Sequence, residues 1–109
     1  MSVLAQRLKE ARQRKGLSQE RLGVLAGIDE MTASARMNQY EKGKHMPDWL
    51  TLERIAKALD VPVPYFYAAE SDLAHLLLLT HTMTQEERQQ LLQFAQRLTD
   101  ERVGPGTGG

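Results

Sequence analysis

The chain has 109 residues, 41% of them hydrophobic and 26% charged, and its formal net charge is zero. This length is enough for one domain with a core of its own, and the absence of cysteine excludes disulfides and thiolate metal sites and is typical of a reducing, cytoplasmic environment. The N-terminal segment lacks the apolar stretch of a signal peptide, and the leucine-rich run at residues 73–79 is far shorter than the roughly 20 residues that span a bilayer. We therefore expect a soluble protein without a membrane partner.

Apolar residues recur at helical spacing through the first part of the chain and predict four helices. The first ends at Gly16, because glycine is a common residue just past a helix C-terminus. Ser18 is suited to be the N-cap of the second helix, which Gly27 closes and in which Leu25 is expected to face the interior. The third helix lies within residues 29–42, and the fourth follows the next proline.

The remaining elements are also helical, so the sequence predicts an all-α fold. Two prolines within residues 61–64 favour a connection followed by a short aromatic turn rather than a strand. Ser71 or Asp72 is expected to cap a sixth helix. Thr84, with a glutamate three residues later, predicts a capping box at the start of a seventh. The glycine-rich residues 101–109 are expected to form a disordered tail.

No constellation of residues predicts catalysis. His75 and His81 are six residues apart, which places them on opposite faces of one helix, and His45 lies in a different context. The sequence contains no glycine-rich phosphate loop and no nucleophile elbow. We therefore expect no enzymatic activity, no metal, no cofactor and no small-molecule ligand.

The basic residues are concentrated in the N-terminal half. Residues 1–45 contain nine Lys or Arg against five acidic residues, whereas residues 68–109 contain three against six. Because the local field guides a polyanion more than the net charge does, this asymmetry favours a nucleic-acid partner for the N-terminal half. Solvated helix faces show the same pattern, so the charges alone do not decide the function.

Four stretches of the chain resemble the Cro/C1-type helix-turn-helix domain, the XRE family of bacterial and phage transcription regulators. They are Arg12 with residues 16–19 (GLSQ), the helix end at Gly27, residues 40–47 (YEKGKHMP) and residues 51–63 (TLERIAKALDVPV). The resemblance implies a five-helix, lambda-repressor-like DNA-binding domain in residues 1–68. The two additional C-terminal helices predicted above lie beyond it, in residues 69–100, and are expected to form a dimerisation segment. It also implies a cytoplasmic, bacterial or phage-encoded transcriptional regulator, most like a repressor.

The resemblance implies roles for individual residues. Arg12 is expected to pair with Glu41 and so to tie the first helix to the end of the third. Phosphate contacts are expected from Ser18, Gln19, Lys42, Lys44 and His45. The face of the third helix opposite its buried side is expected to read base edges in the major groove, through Thr32, Ser34, Ala35, Arg36, Asn38 and Gln39.

The segment between Gly27 and Tyr40 is about four residues longer than the usual turn of this motif allows. Either the third helix begins one turn earlier, or the turn itself is longer. Continuing the apolar face of the helix backward reaches Asp29 and Glu30, whose charges do not suit an apolar interior. This pattern favours an extended acidic turn, with the helix starting near Thr32 as its N-cap.

Leucines surround the sixth helix on nearly every side, which predicts an interaction surface. We expect a homodimer that binds a near-palindromic operator in double-stranded DNA, because two-fold dimers are the commonest oligomers. The expected interface consists of Leu73, Leu76, Leu77, Leu79, Leu91, Leu92, Ala95 and Leu98. Two alternatives remain open: both helices complete one monomeric core, or the chain is an antitoxin-like module whose main role is to bind a partner protein.

Overall fold

The computed structural model describes residues 2–103, and every regular element among them is helical, which confirms the predicted all-α class. The elements in chain order are α1 (Val3–Lys15), α2 (Gln19–Leu25), α3 (Glu30–Glu41), α4 (Trp49–Leu59), a 3-10 helix (Val63–Tyr67), α5 (Ser71–Thr82) and α6 (Gln85–Val103). None of these helices is long and apolar enough to cross a membrane.

The core lies between the first four helices and the 3-10 helix. Its largest fully buried side chains come from all five elements: Leu8, Leu22, Met37, Leu52, Ile55, Tyr65 and Phe66. The helix starts are fixed locally, because the hydroxyls of Ser2 and Ser18 and the carboxylate of Asp48 accept hydrogen bonds from backbone N–H groups in the first turns of α1, α2 and α4. Leu25, which was expected to face the interior, is 46% exposed because α2 ends there and only Leu22 and Ala26 reach the core.

A buried arginine joins α1 to the segment that leads into α5. Arg7 is 6% exposed, and its Nε–H and Nη2–H groups donate to the carbonyl oxygens of Ala68 and Ala69 at 2.9 and 3.1 Å. Its Nη1 also pairs with Glu10 at 3.0 Å. These bonds satisfy carbonyl groups of the connection after the 3-10 helix and so hold the start of α5 against the domain. The sequence pattern did not reveal this contact.

The helix α5 packs on the domain through Ala74, which is buried, and through the half-buried Leu78. Its N-cap is Glu70, with no side-chain cap bond, so the prediction that Ser71 or Asp72 caps it is wrong. Both residues already belong to the helix. The carboxylate of Asp72 accepts a bond from the N–H of Leu73, the next residue, and so does not cap the helix start.

The helix α6 projects from the rest of the molecule. The predicted capping box at its start is present, since the backbone N–H of Thr84 donates to Glu87 at 2.9 Å and the N–H of Glu87 donates to the Thr84 hydroxyl at 3.1 Å. From Thr84 to Arg102 only Leu91 is half-buried, and the other side chains are exposed. The monomeric alternative requires α6 to complete one core with the domain. The exposed side chains show that α6 does not do so.

The end of α6 corrects the predicted tail. Residues 101–103 are helical, although the tail was expected to begin at residue 101. No residue before Gly104 and Pro105 opposes helical backbone, so the helix continues to Val103. The expected disorder of residues 104–109 lies outside the described residues.

Candidate nucleic-acid interface

The helices α2 and α3 are joined by a four-residue turn, residues 26–29, whose second residue is a glycine in the left-handed conformation. Gly27 has φ 87°, a left-handed backbone angle that glycine adopts without steric cost. The next residue, Ile28, is 8% exposed, and its N–H donates to the carbonyl oxygen of Gly23 at 2.9 Å. The chain therefore leaves α2 abruptly and anchors the turn with one apolar side chain.

A second glycine sets how closely the two helices approach. A Cβ atom at Gly23 would lie 2.7 Å from the Cβ of Ala33 and 3.1 Å from its Cα, closer than carbon atoms pack. Gly23 in α2 and Ala33 in α3, both buried, thus allow near backbone-to-backbone contact. Sequence reasoning missed Gly23. An isolated glycine inside a helical pattern was the available signal, because it lowers helix propensity without an evident reason.

The start of α3 differs from the prediction of an extended acidic turn. The N-cap is Asp29, whose carboxylate accepts from the N–H of Met31 at 3.0 Å. Thr32 is inside the helix, and its hydroxyl donates to the carbonyl oxygen of Asp29 at 3.3 Å. The surplus residues therefore add to the helix rather than to the turn. Acidic side chains stabilise a helix N-terminus, and Asp29 and Glu30 are exposed, so no apolar interior receives their charges.

The face of α3 that points away from the core carries a row of exposed side chains. Of the six residues predicted to read bases, Thr32, Ser34, Ala35, Arg36 and Gln39 are exposed, and Asn38 is half-buried. Because α3 starts at Glu30, Met31 joins the same face one turn before Ala35 and two turns before Gln39, and it is 90% exposed. The row from Met31 to Gln39 is about 12 Å long at the helical rise.

The arginine of this face is held by its own helix and its neighbours. Arg36 donates from Nη2 to the hydroxyl of Tyr40 at 3.2 Å. Asp48 lies near it: hydrogen bonds from the side chain and backbone of Thr51 lower the pKa of the Asp48 carboxyl, and the positive charges of Arg36 and Arg54 lower it further. The carboxylate therefore stays ionised beside Arg36, and Arg54 adds an exposed cation that sequence reasoning did not single out.

The C-terminal end of α3 is fixed by an ion pair with α1. Arg12 donates from Nε to Glu41 at 2.6 Å and from Nη2 to its second oxygen at 3.1 Å, so the pair is bidentate. A third bond, from Nη1 of Arg12 to the carbonyl oxygen of Leu17, lies at 2.8 Å. Glu41 is 3% exposed. The structure thus brings together the two residues that the sequence assigned to this pair.

Gln19 connects the Arg12–Glu41 ion pair to Asn38, one of the residues predicted to read bases. It donates from Nε2 to Glu41 at 3.2 Å and to the side-chain oxygen of Asn38 at 3.3 Å. The sequence assigned Gln19 to a phosphate contact, but its amide is engaged inside the protein. Gln19 is half-buried and bridges α2 to α3, and this bridge fixes the position of Asn38.

The other predicted phosphate contacts lie on the surface. Ser18 is exposed, and its hydroxyl accepts from the N–H of Arg21 as the N-cap of α2. Lys42, Lys44 and His45 are exposed in the loop that follows α3. The backbone of that loop is fixed where the N–H of Lys44 donates to the carbonyl oxygen of Gln39 at 3.0 Å. No three His, Asp or Glu side chains within residues 2–103 come together as a metal site.

Comparison with known proteins agrees with this geometry. Residues 3–64, more than half of the chain, match the family described as a helix-turn-helix domain. The chain belongs to this helix-turn-helix family. This chain is similar to the solved structure of the transcriptional regulator BswR, with 45% sequence identity and a TM-score of 0.79. The match covers 89% of this chain and 94% of that chain. No curated protein matches the chain.

The two C-terminal helices lie beyond the part matched to the helix-turn-helix domain, and they hold the predicted interface residues. Most of these side chains are exposed, and Leu77 and Leu91 are half-buried. The exposed fractions include 48% for Leu73, 45% for Leu79 and 50% for Leu98. The sequence prediction missed Phe94, which is 50% exposed on α6 with the guanidinium carbon of Arg97 5.6 Å from its ring centroid.

Proposed function

We propose that this helix-turn-helix protein is a sequence-specific, double-stranded DNA-binding transcriptional regulator of the Cro/C1 type that acts as a repressor. The observation that carries the proposal is the row of exposed polar side chains on α3. Contacts with two other helices hold α3 in place near both of its ends. The close contact of Gly23 with Ala33 holds its first half against α2, and the Arg12–Glu41 pair holds its last turn against α1. A reading helix needs such rigidity, because base contacts depend on accurate placement.

The chemistry of the row matches the edges of base pairs in the major groove. Arg36 suits bidentate contact with guanine, Gln39 and Asn38 suit adenine, and the methyl group of Ala35 suits the methyl group of thymine. Ser34 and Thr32 add hydroxyl groups that donate or accept. A B-DNA major groove is about 12 Å wide and accepts an α-helix, so α3 enters with this face toward the bases.

The added N-terminal turn of α3 extends the reading face. Met31 stands in line with Ala35 and Gln39 and is 90% exposed, so its whole side chain is available to a partner on this face. Contact with a thymine methyl group or a groove wall would cover it. Asp29 and Glu30 repel phosphates, so we place the first turn of α3 toward base edges and away from the backbone.

Exposed cations flank the row and supply the sequence-independent part of binding. We assign phosphate contacts to Lys42, Lys44 and His45 in the loop after α3 and to Ser18 at the start of α2. Gln19 was also predicted to contact phosphate. Because its amide donates to Asn38 and Glu41 in the free protein, we propose that it braces Asn38 instead. The phosphate contacts set orientation and produce the salt dependence of binding.

We further propose that the protein binds DNA as a homodimer through the helices α5 and α6. The exposed leucines of α5 and the projecting α6 form an apolar surface that a monomer would leave in water. Two reading helices about one DNA turn apart, ~34 Å, then face successive major grooves of a near-palindromic operator. The similarity to a transcriptional regulator extends into these helices, since 89% of the chain is covered.

Selection of bound sequences from random duplex DNA tests the proposal, followed by titration of the enriched duplex and a shuffled one. We expect enrichment of a near-palindrome with half-sites about 10 base pairs apart, and affinity that falls steeply between roughly 50 and 200 mM salt. No enrichment, together with salt-independent or undetectable binding, would leave the protein-interaction module as the better account.

A further inference from the structure

One face of α6 has a symmetric order of charges and apolar residues. At 100° per residue, Glu87, Leu91, Phe94, Leu98 and Arg102 fall within about a quarter of the helix circumference. The acid stands at the N-terminal end of this face, the base at the C-terminal end, and the aromatic ring near the middle. All are exposed except the half-buried Leu91.

This order is self-complementary for two antiparallel copies. Suppose that a two-fold axis crosses the helix between residues 94 and 95. Each residue before the axis then lies level with the partner residue that is equally far beyond the axis. Leu91 then meets the level of Leu98, and Phe94 lies beside its own copy. Glu87 meets the level of Arg102, so both ends carry opposite charges, whereas a parallel pair would place like charges side by side.

We propose that α6 pairs with α6 of a second copy of the chain in an antiparallel arrangement, with the two Phe94 rings at the two-fold axis. The proposal rests on the homodimer proposed above but on no property of DNA binding. The occupant is a second copy because the same helix supplies both halves of the charge pattern. The paired face, from residue 87 to residue 102, is about 22 Å long.

The neighbouring groove supports a second copy at this place. Between α5 and α6 lies an open, largely apolar groove of about 680 Å³, whose walls include Leu76, Leu77, Leu92 and Ala95. Leu91 lines this groove and also belongs to the face of α6 that we propose pairs with the second copy. A partner helix laid along α6 therefore continues onto α5 and covers leucines of both helices. A lone α6 has no such cover, because its side chains are exposed along nearly its whole length.

Cysteine cross-linking reads the direction of pairing directly, because the chain has no native cysteine. Three single variants of the full chain are needed: Leu91→Cys, Phe94→Cys and Leu98→Cys. In the antiparallel pair, Phe94→Cys lies within about 2 Å of its copy along the axis and should oxidise to a covalent dimer. Leu91→Cys and Leu98→Cys are each about 10 Å from their own copies along the axis, beyond the reach of a disulfide.

The mixed sample is the decisive arm. Co-refolded Leu91→Cys and Leu98→Cys chains should cross-link with each other and give a heterodimer on a non-reducing gel, although neither forms a covalent dimer alone. Self-cross-linking of Leu91→Cys and Leu98→Cys would show parallel pairing and overturn the proposal. Absence of cross-links in every sample would overturn it equally. Each substituted side chain is at least partly exposed on α6, and unchanged circular dichroism would show that the domain still folds.

Charge changes that keep the capping box provide the matched control. Arg102→Glu alone should weaken the dimer about fivefold in sedimentation equilibrium, because it places like charges together at both ends of the pair. Glu87→Gln keeps the reciprocal bonds with Thr84, since Gln also serves in a capping box. It should weaken the wild-type dimer, where it removes an attraction, but strengthen the Arg102→Glu dimer, where it removes a repulsion. The same effect of Glu87→Gln in both backgrounds would contradict the antiparallel register. Neither assay contains DNA, so a protein that dimerises this way but binds no operator would separate this inference from the proposed function.

Discussion

The guanidinium of Arg12 and the carboxylate of Glu41 join α1 to the last turn of α3 through hydrogen bonds of 2.6 and 3.1 Å. The two residues are 29 positions apart in the chain. Glu41 is one helical turn from Asn38, and Gln19 donates to both. The pair therefore fixes the angle at which the proposed reading face is presented, and its loss affects both stability and recognition.

Changing Glu41 to Gln should destabilise the fold by about 3 kcal/mol. This is at the lower end of the cost of breaking a buried pair, because the amide oxygen of Gln still accepts one bond while Arg12 loses a buried counter-charge. Chemical denaturation of the variant measures the loss. Glu53→Gln, an exposed change on α4, is the control. Equal stability of the two variants would contradict the structural role of the pair.

Changing Gly23 to Ala should cost about 1–3 kcal/mol, because the added methyl group would overlap Ala33 at 2.7 Å. The double variant Gly23→Ala/Ala33→Gly moves the methyl group to the other helix and should recover part of the loss, less the helix-propensity cost of a new glycine of about 1 kcal/mol. Thermal melts of the single and double variants provide the comparison. A single variant as stable as the wild type would show that the two helices can separate freely.

Much of the fold follows from local signals in the sequence. Ser18 as an N-cap, the capping box at Thr84 and the left-handed Gly27 are short-range features, which hydrogen bonding between near neighbours determines. The predicted start of α3 near Thr32 was wrong, because the prediction assumed that the first turn of the helix must be buried. That turn is exposed, so Asp29 caps it freely.

Other features depend on tertiary contacts that a single pattern does not carry. The buried role of Arg7 becomes visible only when the carbonyl groups of Ala68 and Ala69, more than 60 residues away, are placed beside it. Gln19 has the exposed polar character of a phosphate ligand in sequence, but folding brings it to Asn38. Phe94 was missed because the interface was inferred from leucines, whereas its exposure follows from the projection of α6.

Changing Met31 to Ala should alter the base preference at one edge of each half-site and reduce affinity for the selected duplex by about tenfold. The reason is the loss of apolar contact from a side chain that is 90% exposed in the free protein. Stability should not fall, because the side chain packs on nothing. Repeating the random-duplex selection with the variant measures the preference. Unchanged selection would place Met31, and with it the first turn of α3, outside the groove.

Changing Lys44 to Ala should weaken binding to selected and shuffled duplexes alike. It should also lower the slope of log affinity against log salt concentration by about one, because one phosphate contact is lost. Fluorescence anisotropy over a salt series gives both quantities. Lys9→Ala, an exposed change on α1 at a lysine to which no phosphate contact is assigned, is the control and should leave the slope as in the wild type. A slope that Lys44→Ala leaves unchanged would remove this loop from the interface.

The central claim, that α3 reads sequence, is tested most directly by competition between the selected duplex and duplexes with one altered base pair in each half-site. Arg36→Ala and Gln39→Ala should each lose about 1–3 kcal/mol of discrimination at one position and keep their binding to shuffled DNA. Gln13→Ala, which removes an exposed glutamine of α1 that is not among the proposed DNA contacts, is the control and should discriminate as the wild type does. If both alanine variants discriminate among these duplexes as the wild type does, α3 is not the reading helix.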